Sequence, residues 1–200
     1  MNSFIFDVDG TLLDSEKIFY DSLTYALDLH NIHPSTNLQD LFGLTAGETL
    51  AKLNLAANSS VGTTWEMRFD KLSAEAPFYE GIQDTFRLLH VRNARIIIVT
   101  SRNHSTVDSI WKHSTLAPYI EFCVTAEDTT KHKPHPEPLL LAMSALNLDP
   151  KTTIYIGDTI NDYIAAKSAG ISFAAAAWNE KASSLPGIRL ASPTDLLELL

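Results

Sequence analysis

The stretch Phe4-Ile-Phe-Asp-Val-Asp-Gly-Thr-Leu-Leu-Asp14 decides the fold of this chain. Its apolar start runs directly into two carboxylates one residue apart, Asp7 and Asp9, and a Gly-Thr turn follows at once. A short apolar run is typical of a buried strand, and open α/β sheets bind ligands just beyond the carboxyl ends of their strands. The stretch therefore predicts the first strand of a buried sheet, with a site for chemistry where that strand ends.

Four more apolar runs predict further strands, at residues 95–100, 122–125, 153–157 and 171–176. Helical patterns follow or lie between them, at residues 82–92, 105–113, 136–147 and 161–169. A cap and a proline after residue 191 predict a short final helix. The alternation of strand and helix predicts an α/β fold, a doubly wound Rossmann-like parallel sheet with helices on both faces.

Residues 15–76 break this alternation, because their apolar residues recur at helical spacing and no convincing strand pattern is present. We expect them to form an inserted all-helical cap domain, with residues 1–14 and 77–200 forming the α/β core domain. An insertion directly after the first strand overhangs the edge of the sheet where ligands bind. The cap is therefore placed to act as a lid, with hinges expected near residues 14–16 and 77–81.

Composition narrows the classes of partner. The chain has 200 residues, 45% of them hydrophobic, and a formal net charge of -9, which disfavours a nucleic-acid partner. Its single cysteine, Cys123, excludes an intramolecular disulfide and favours a reducing compartment. No apolar run is long enough to span a membrane, and an acid at position 7 is unlike a secretory signal. We expect a cytoplasmic protein without nucleic-acid or membrane partners, either a monomer or a weak homodimer.

Three further polar motifs follow predicted strands. Thr100 ends the second strand, Lys133 lies just before a proline-started helix, and Asp158 and Asp162 follow a later strand. Because the carboxyl ends of parallel strands share one edge of a sheet, all of these side chains can converge on a single crevice with Asp7.

With these motifs in this order, the chain resembles the haloacid dehalogenase superfamily, specifically its phosphatase members with a small helical cap. It is similar over essentially its whole length to the branch that contains phosphoglycolate phosphatase, pyrophosphatase and β-phosphoglucomutase. The resemblance implies that Asp7 is the nucleophile, Asp9 the general acid/base, Thr100 a phosphate-binding hydroxyl and Lys133 the charge-neutralising lysine.

The resemblance also implies a magnesium ion. Its ligands would be Asp7, the backbone carbonyl of Asp9 and Asp158, while Asp162 would support the metal or orient the lysine. The physical chemistry agrees, because a phosphomonoester near neutral pH carries close to two negative charges and carboxylates repel it unless cations intervene. Mg²⁺ prefers hard oxygen ligands and takes only one or two carboxylates. In-line attack by Asp7 would give an aspartyl phosphate, while Asp9 protonates the leaving oxygen and then takes a proton from water.

Several of these roles have structural alternatives. The Thr100 hydroxyl could simply bond to the backbone at the end of its strand. Lys131 competes with Lys133, although the Lys-Pro pairing favours Lys133. Asp162 could serve only to cap the helix that begins there.

Substrate recognition is expected beside the phosphate site and in the cap. Ser101 and Arg102 either line the phosphate pocket or are polar surface, whereas Lys17 and Tyr20 of the cap are expected to face the substrate. The other cap candidates are Ser15, Phe19, Thr45 and Arg68.

The resemblance also separates the reaction types. Dehalogenase and phosphonatase branches lack an acid at the position of Asp9, so Asp9 favours phosphate–oxygen chemistry. Mutases of the β-phosphoglucomutase type carry a histidine where this chain has Phe19 and an arginine in the loop matching residues 43–48, and both are absent. We therefore expect a Mg²⁺-dependent phosphatase acting on a small phosphorylated metabolite. The alternatives are a phosphosugar mutase of the β-phosphoglucomutase type and a non-catalytic phosphate-binding regulator.

Overall fold

The computed structural model describes residues 1–112 and 114–200, and its centre is a six-stranded parallel sheet. The strands are β1 (Ser3–Phe6), β2 (Arg95–Val99), β3 (Phe122–Val124), β4 (Thr153–Gly157), β5 (Ser172–Ala176) and β6 (Ile188–Leu190). Their order is β3-β2-β1-β4-β5-β6, and every pairing is parallel. The chain winds one way from β1 through β2 to β3 and the other way from β4 to β6. The carboxyl ends of β1 and β4 therefore flank the switch point where such sheets bind ligands.

Helices cover both faces of this sheet. They are α4 (Ile82–Val91), α5 (His104–Trp111), α6 (Glu137–Leu146) and α7 (Ile160–Ala169). Strand side chains alternate between two apolar clusters, with Phe4 and Phe6 of β1 in one and Ile5 in the other. The prediction of a doubly wound Rossmann-like α/β sheet is confirmed.

Three helices are inserted in the chain between β1 and α4: α1 (Glu16–Leu29), α2 (Ala46–Lys52) and α3 (Ser60–Ser73). They share a third apolar cluster, in which the Phe19 ring meets Phe42, Trp65 and Phe69 edge to face at 5.4–5.6 Å between centroids. The two chain crossings run side by side, because the Asp14 N–H donates to the Pro77 carbonyl at 3.0 Å. The domain limits at residues 15 and 76 stay a prediction.

The structure differs from the sequence-based elements at three places. The strand β6 was not predicted, because it is a short edge strand in which Ile188 and Arg189 are exposed. The final segment, Pro193–Leu199, is a 3₁₀ rather than an α-helix. The helix predicted over residues 105–113 ends at Trp111, and residue 113 lies outside the described residues.

No helix in the described part of the chain is both long enough and apolar enough to cross a membrane.

Candidate active site

The turn after β1 brings Asp7 to the switch point. Its backbone N–H donates to the Ile156 carbonyl at 2.9 Å, which extends the pairing of β1 with β4 by one residue. Gly10 follows with a φ of +73°, and a Cβ there would lie 2.1 Å from Asp158 Oδ2. Only glycine lets the turn pass this close to Asp158.

Four of the predicted side chains meet below this turn, and we call Asp7, Lys133, Asp158 and Asp162 the floor cluster. Lys133 Nζ lies 2.9 Å from Asp7 Oδ1 and 2.8 Å from Asp162 Oδ1. One oxygen from each of the three carboxylates lies within 4.8 Å of the others, and all four side chains are buried. The sequence therefore predicted which residues converge here.

Asp162 is held by the protein at both of its oxygens. Oδ1 accepts from Lys133 Nζ and from the Tyr155 hydroxyl, each at 2.8 Å. Oδ2 accepts from the Thr159 N–H at 3.0 Å and from the Thr159 hydroxyl, an arrangement that caps α7. Gly157 makes room for this carboxylate, because a Cβ at that position would lie 2.6 Å from Asp162 Cγ. These contacts suit Asp162 to orienting the lysine more than to binding a metal directly.

Asp158 is held by two residues that the sequence analysis missed. The Thr11 hydroxyl donates to Oδ1 at 3.0 Å, and Asn179 Nδ2 donates to Oδ2 at 3.1 Å. Thr11 lay within the first motif and could have been found from it. Asn179 follows β5 in a segment with no motif of its own, so no signal in the sequence pointed to it.

The floor cluster contains three acidic groups and one basic group. Burial raises the pKa of Asp7 to about 7. The charge of Lys133 opposes this rise, and the charge of Asp162 adds to it. Burial, followed by the charges of Asp162 and Asp7, raises the pKa of Asp158 well above its usual range. Burial also opposes ionisation of Asp162, but the ion pair with Lys133 outweighs it and lowers the pKa of that carboxyl.

The donor set fits a divalent cation. Three buried carboxylates meet one lysine. Burial, with the charges of neighbouring aspartates adding to it, raises the pKa of Asp7 and of Asp158, so a further cation would favour the ionised form of both. Hard cations bind clustered carboxylate oxygens of this kind, and their binding favours the deprotonated ligands.

Arg102 lies on Asp9, where the sequence analysis had expected a substrate ligand or polar surface. Its Nε and Nη2 donate to the two carboxylate oxygens at 2.7 and 2.5 Å, and the Ser15 hydroxyl also donates to Asp9. Its Nη1 donates to Ser73 Oγ at 2.8 Å, and the guanidinium lies over the Phe69 ring at 4.6 Å. Although burial opposes it, the Arg102 ion pair lowers the pKa of Asp9. Arg102 therefore joins the predicted acid/base to the end of α3.

The turn after β2 places two more predicted residues. Thr100 is buried, and its hydroxyl accepts from the Arg102 N–H at 3.2 Å, so it shapes this turn. The Ser101 hydroxyl donates to the Gly43 carbonyl at 2.8 Å and bridges the core to the loop before α2.

A cavity of about 280 Å³ lies between this turn and the helices α1–α3, with Asp7 and Asp9 among its lining residues. Its aromatic and acidic lining from the inserted helices and the loop before α2 is called the cap wall. The cap wall comprises Phe19, Phe42, Trp65, Glu66, Phe69 and Asp70.

Of the predicted cap candidates, Phe19 and Thr45 line this cavity. Lys17 is instead exposed and pairs with Asp21, and the Tyr20 hydroxyl lies 3.4 Å from the Gln39 carbonyl, so the structure does not bring these two to the cavity lining. Arg68 lies over the ring of a neighbouring tyrosine at 4.4 Å. The sequence analysis missed Glu66 and Asp70, although both are adjacent to aromatic residues at helical spacing.

Comparison with known proteins gives one consistent family. The model of the haloacid dehalogenase-like hydrolase family matches residues 4–176. Pyrophosphatase PpaX of Bacillus pumilus is 28% identical over 211 aligned positions, which cover 100% of this chain and 96% of that protein. The crystal structure of a candidate phosphoglycolate phosphatase from Lactobacillus plantarum has a TM-score of 0.84 and 28% identity, covering 100% of this chain and 99% of that one. CbbY from Rhodobacter sphaeroides, solved with phosphate, shares the fold at a TM-score of 0.80 and 19% identity, covering 98% of this chain and 96% of that one.

Proposed function

The chain belongs to the haloacid dehalogenase-like hydrolases, and we propose that it is a phosphatase that hydrolyses a small phosphorylated metabolite through an aspartyl phosphate on Asp7. One observation carries the proposal: a buried carboxylate that lines the cavity at the switch point is paired with a buried lysine at 2.9 Å. The names of the Bacillus and Lactobacillus relatives, a pyrophosphatase and a candidate phosphoglycolate phosphatase, support phosphate chemistry.

The proposed cofactor is Mg²⁺, held by Asp7, Asp158 and the backbone carbonyl of Asp9. When bound, it would neutralise charge on the phosphoryl oxygens of the substrate. We assign Asp162 to holding Lys133, because both of its carboxylate oxygens already accept hydrogen bonds from the protein.

The chain's own residues then divide the reaction among them. Asp7 attacks phosphorus in line, and Lys133 offsets negative charge on the phosphoryl group as its bond to the leaving oxygen breaks. Thr100 and the backbone N–H groups after β2 would hold the equatorial oxygens. Asp9 gives a proton to the leaving oxygen and later takes one from water. Asp9 accepts three hydrogen bonds from Arg102 and Ser15, which leaves one of its roughly four acceptor sites for the proton that it passes to the leaving oxygen.

Water is the proposed acceptor of the phosphoryl group. Phe19 lines the cavity at the position where the mutase resemblance would require a histidine, and a phenyl ring carries no proton to relay. The proposed partner is thus a single small metabolite, and no second sugar phosphate is required.

The test is release of inorganic phosphate from a panel of phosphorylated metabolites, including pyrophosphate and phosphoglycolate, with Mg²⁺ and then with a chelator. We expect metal-dependent turnover that falls by at least about 10³-fold in Asp7→Asn, because the nucleophile is lost. Asp28→Asn, at an exposed position of α1, is the matched control and should retain full activity. Binding of phosphate esters without any turnover would contradict the proposal and favour a regulator, and interconversion of sugar phosphates would favour a mutase.

A further inference from the structure

The cap side of the cavity differs in chemistry from the side at Asp7 and Asp9. Phe19, Phe42 and Trp65 give it an aromatic surface, and Phe69 adds a fourth ring. The volume of about 280 Å³ lies below the range of about 300–1,000 Å³ typical of pockets for drug-sized ligands. The group that enters must therefore be compact and able to contact aromatic rings.

Carboxylates border this aromatic surface. Glu66 and Asp70 lie four residues apart on α3, both are half-buried, and both line the cavity. Glu127 lines it from the core side, where its carboxylate accepts from the His104 N–H at 2.6 Å. Like charges four residues apart destabilise a helix, so helix stability does not explain the pair on α3.

Cations do not balance these acids. Among the described residues that line the cavity, Arg102 is the only lysine or arginine. Its three donor nitrogens are directed at Asp9 and Ser73, and its charge is paired with the Asp9 carboxylate. A second phosphate or a carboxylate on the substrate would meet Glu66, Asp70 and Glu127, and no lysine or arginine among the described lining residues is left unpaired to bind it.

We infer that this pocket selects phosphomonoesters of compact amino alcohols and rejects substrates that carry a second anionic group. Glu66 and Asp70 would attract the ammonium group, and the neighbouring rings would offer it cation–π contacts. The same wall already holds one cation in this way, since the Arg102 guanidinium lies over the Phe69 ring at 4.6 Å. The inference rests on the proposed function, because it assumes that the phosphate group binds at Asp7.

The first experiment compares two esters that differ mainly in the charge of the far group, 2-aminoethyl phosphate and phosphoglycolate. Their dissociation constants are measured by calorimetry on Asp7→Asn with Mg²⁺, which separates binding from turnover. We expect the amine ester to bind at least about tenfold more tightly, a difference of about 1.4 kcal/mol. Equal affinities, a preference for phosphoglycolate, or no measurable binding of either ester would overturn the inference.

The second experiment assigns the preference to the acids. The double variant Glu66→Gln/Asp70→Asn should reduce the ratio of the two affinities to within about threefold, because amides keep the shape and remove the charge. Glu75→Gln, an exposed acid just beyond α3, should keep the wild-type ratio. An unchanged ratio in the double variant would overturn the role of these two acids.

Turnover distinguishes this inference from the proposed function. Wild-type protein is assayed with p-nitrophenyl phosphate, whose nitrophenyl group carries no net charge in the bound ester, and with both esters. Turnover of all three esters at equal kcat/KM would contradict the inference but not the proposed phosphatase activity. Tighter binding of the amine ester with no turnover of any ester would contradict the proposed phosphatase activity but not the inferred selectivity of the pocket.

Discussion

Asp7 of the floor cluster lines the same cavity as the cap wall, but the charges of the cluster and of the wall are organised in opposite ways. In the floor cluster, Lys133 lies between Asp7 and Asp162, and Thr11 and Asn179 hold both oxygens of the third carboxylate. In the cap wall, Glu66 and Asp70 lie close to each other, and burial together with the Asp70 charge raises the pKa of Glu66. The described residues place no lysine or arginine within ion-pair distance of either wall acid.

This difference separates chemistry from selection. Hydrogen bonds from the protein hold both oxygens of Asp158 and of Asp162, so this part of the floor cluster keeps its geometry before any substrate arrives. Acids without a cation partner gain most when a ligand supplies the missing charge. Changes in the floor cluster should therefore affect every substrate, whereas changes in the cap wall should alter which substrate is chosen.

The largest effect is expected from Lys133→Met, which removes the only cation of the floor cluster. Turnover should fall by about 10²–10³-fold or more on every substrate, because the group that offsets phosphoryl charge is lost. The metal-free protein should also lose about 3–5 kcal/mol of unfolding free energy, since two buried carboxylates lose their shared partner. Phosphate release and urea unfolding measure the two effects.

Lys131→Met provides the matched control, because Lys131 is exposed and only two residues away. Its unfolding free energy should stay within about 0.5 kcal/mol of wild type, with unchanged turnover. Loss of turnover in Lys131→Met but not in Lys133→Met would transfer the role to Lys131 and break the contrast between floor and wall.

A smaller effect is expected from Arg102→Lys, since Arg102 contacts Asp9 at one end and Ser73 and Phe69 at the other. Lysine keeps the charge but cannot bond both carboxylate oxygens and Ser73 with one nitrogen. We expect kcat to fall by about 10- to 100-fold on all substrates alike. Ser73→Ala removes only the hydrogen bond from Arg102 to α3 and should lower kcat by less than about threefold.

The substrate range of the Arg102→Lys variant sharpens the comparison. A uniform loss of kcat would place Arg102 functionally with the floor cluster. A loss confined to some substrates, visible as changed ratios of kcat/KM across the panel, would place it with the cap wall.

The contrast also explains how far the sequence could be interpreted. The floor cluster was predicted because Asp7 and Asp158 follow apolar runs that mark buried strands, and parallel strands end at one edge. Glu66 and Asp70 were missed because their orientation depends on how α3 packs on α1 and the core, which no local pattern specifies. The same holds for Asn179, which reaches Asp158 from a segment without a motif.

Arg102 shows an intermediate case. Its position after β2 correctly predicted that it lies at the carboxyl edge of the sheet. Its partners Asp9 and Ser73, however, lie 93 and 29 residues away along the chain. Spacing in the sequence carries no information about such a pairing. The strand β6 was not predicted for a different reason: an edge strand with two exposed residues lacks the apolar run by which buried strands are recognised.

The smallest expected effect concerns the charge balance of the floor cluster and its dependence on pH. Burial raises the pKa of Asp7 to about 7, so in the metal-free protein this carboxyl is protonated at acid pH. The protonated carboxyl stabilises the folded state relative to the unfolded state, and this contribution is lost as the pH rises through about 7. A cation must displace that proton at low pH but not at high pH. The binding free energy of the cation therefore becomes less favourable by about 1.4 kcal/mol for each pH unit below about 7.

We thus expect the rise in melting temperature caused by Mg²⁺ to grow from about pH 5.5 to pH 7.5, by about 2–4 °C for each kcal/mol gained. Melting curves with Mg²⁺ and with chelator across this range measure it. Calorimetry in two buffers of different ionisation enthalpy should detect proton release on the acid side. The raised pKa of Asp158 acts in the same direction, so Asp7→Asn should keep part of the slope. A Mg²⁺ effect that does not change with pH would mean that the carboxylates of the floor cluster are already ionised without a cation. Both the floor cluster and the cap wall would then hold unbalanced negative charge, and the contrast between them would fail.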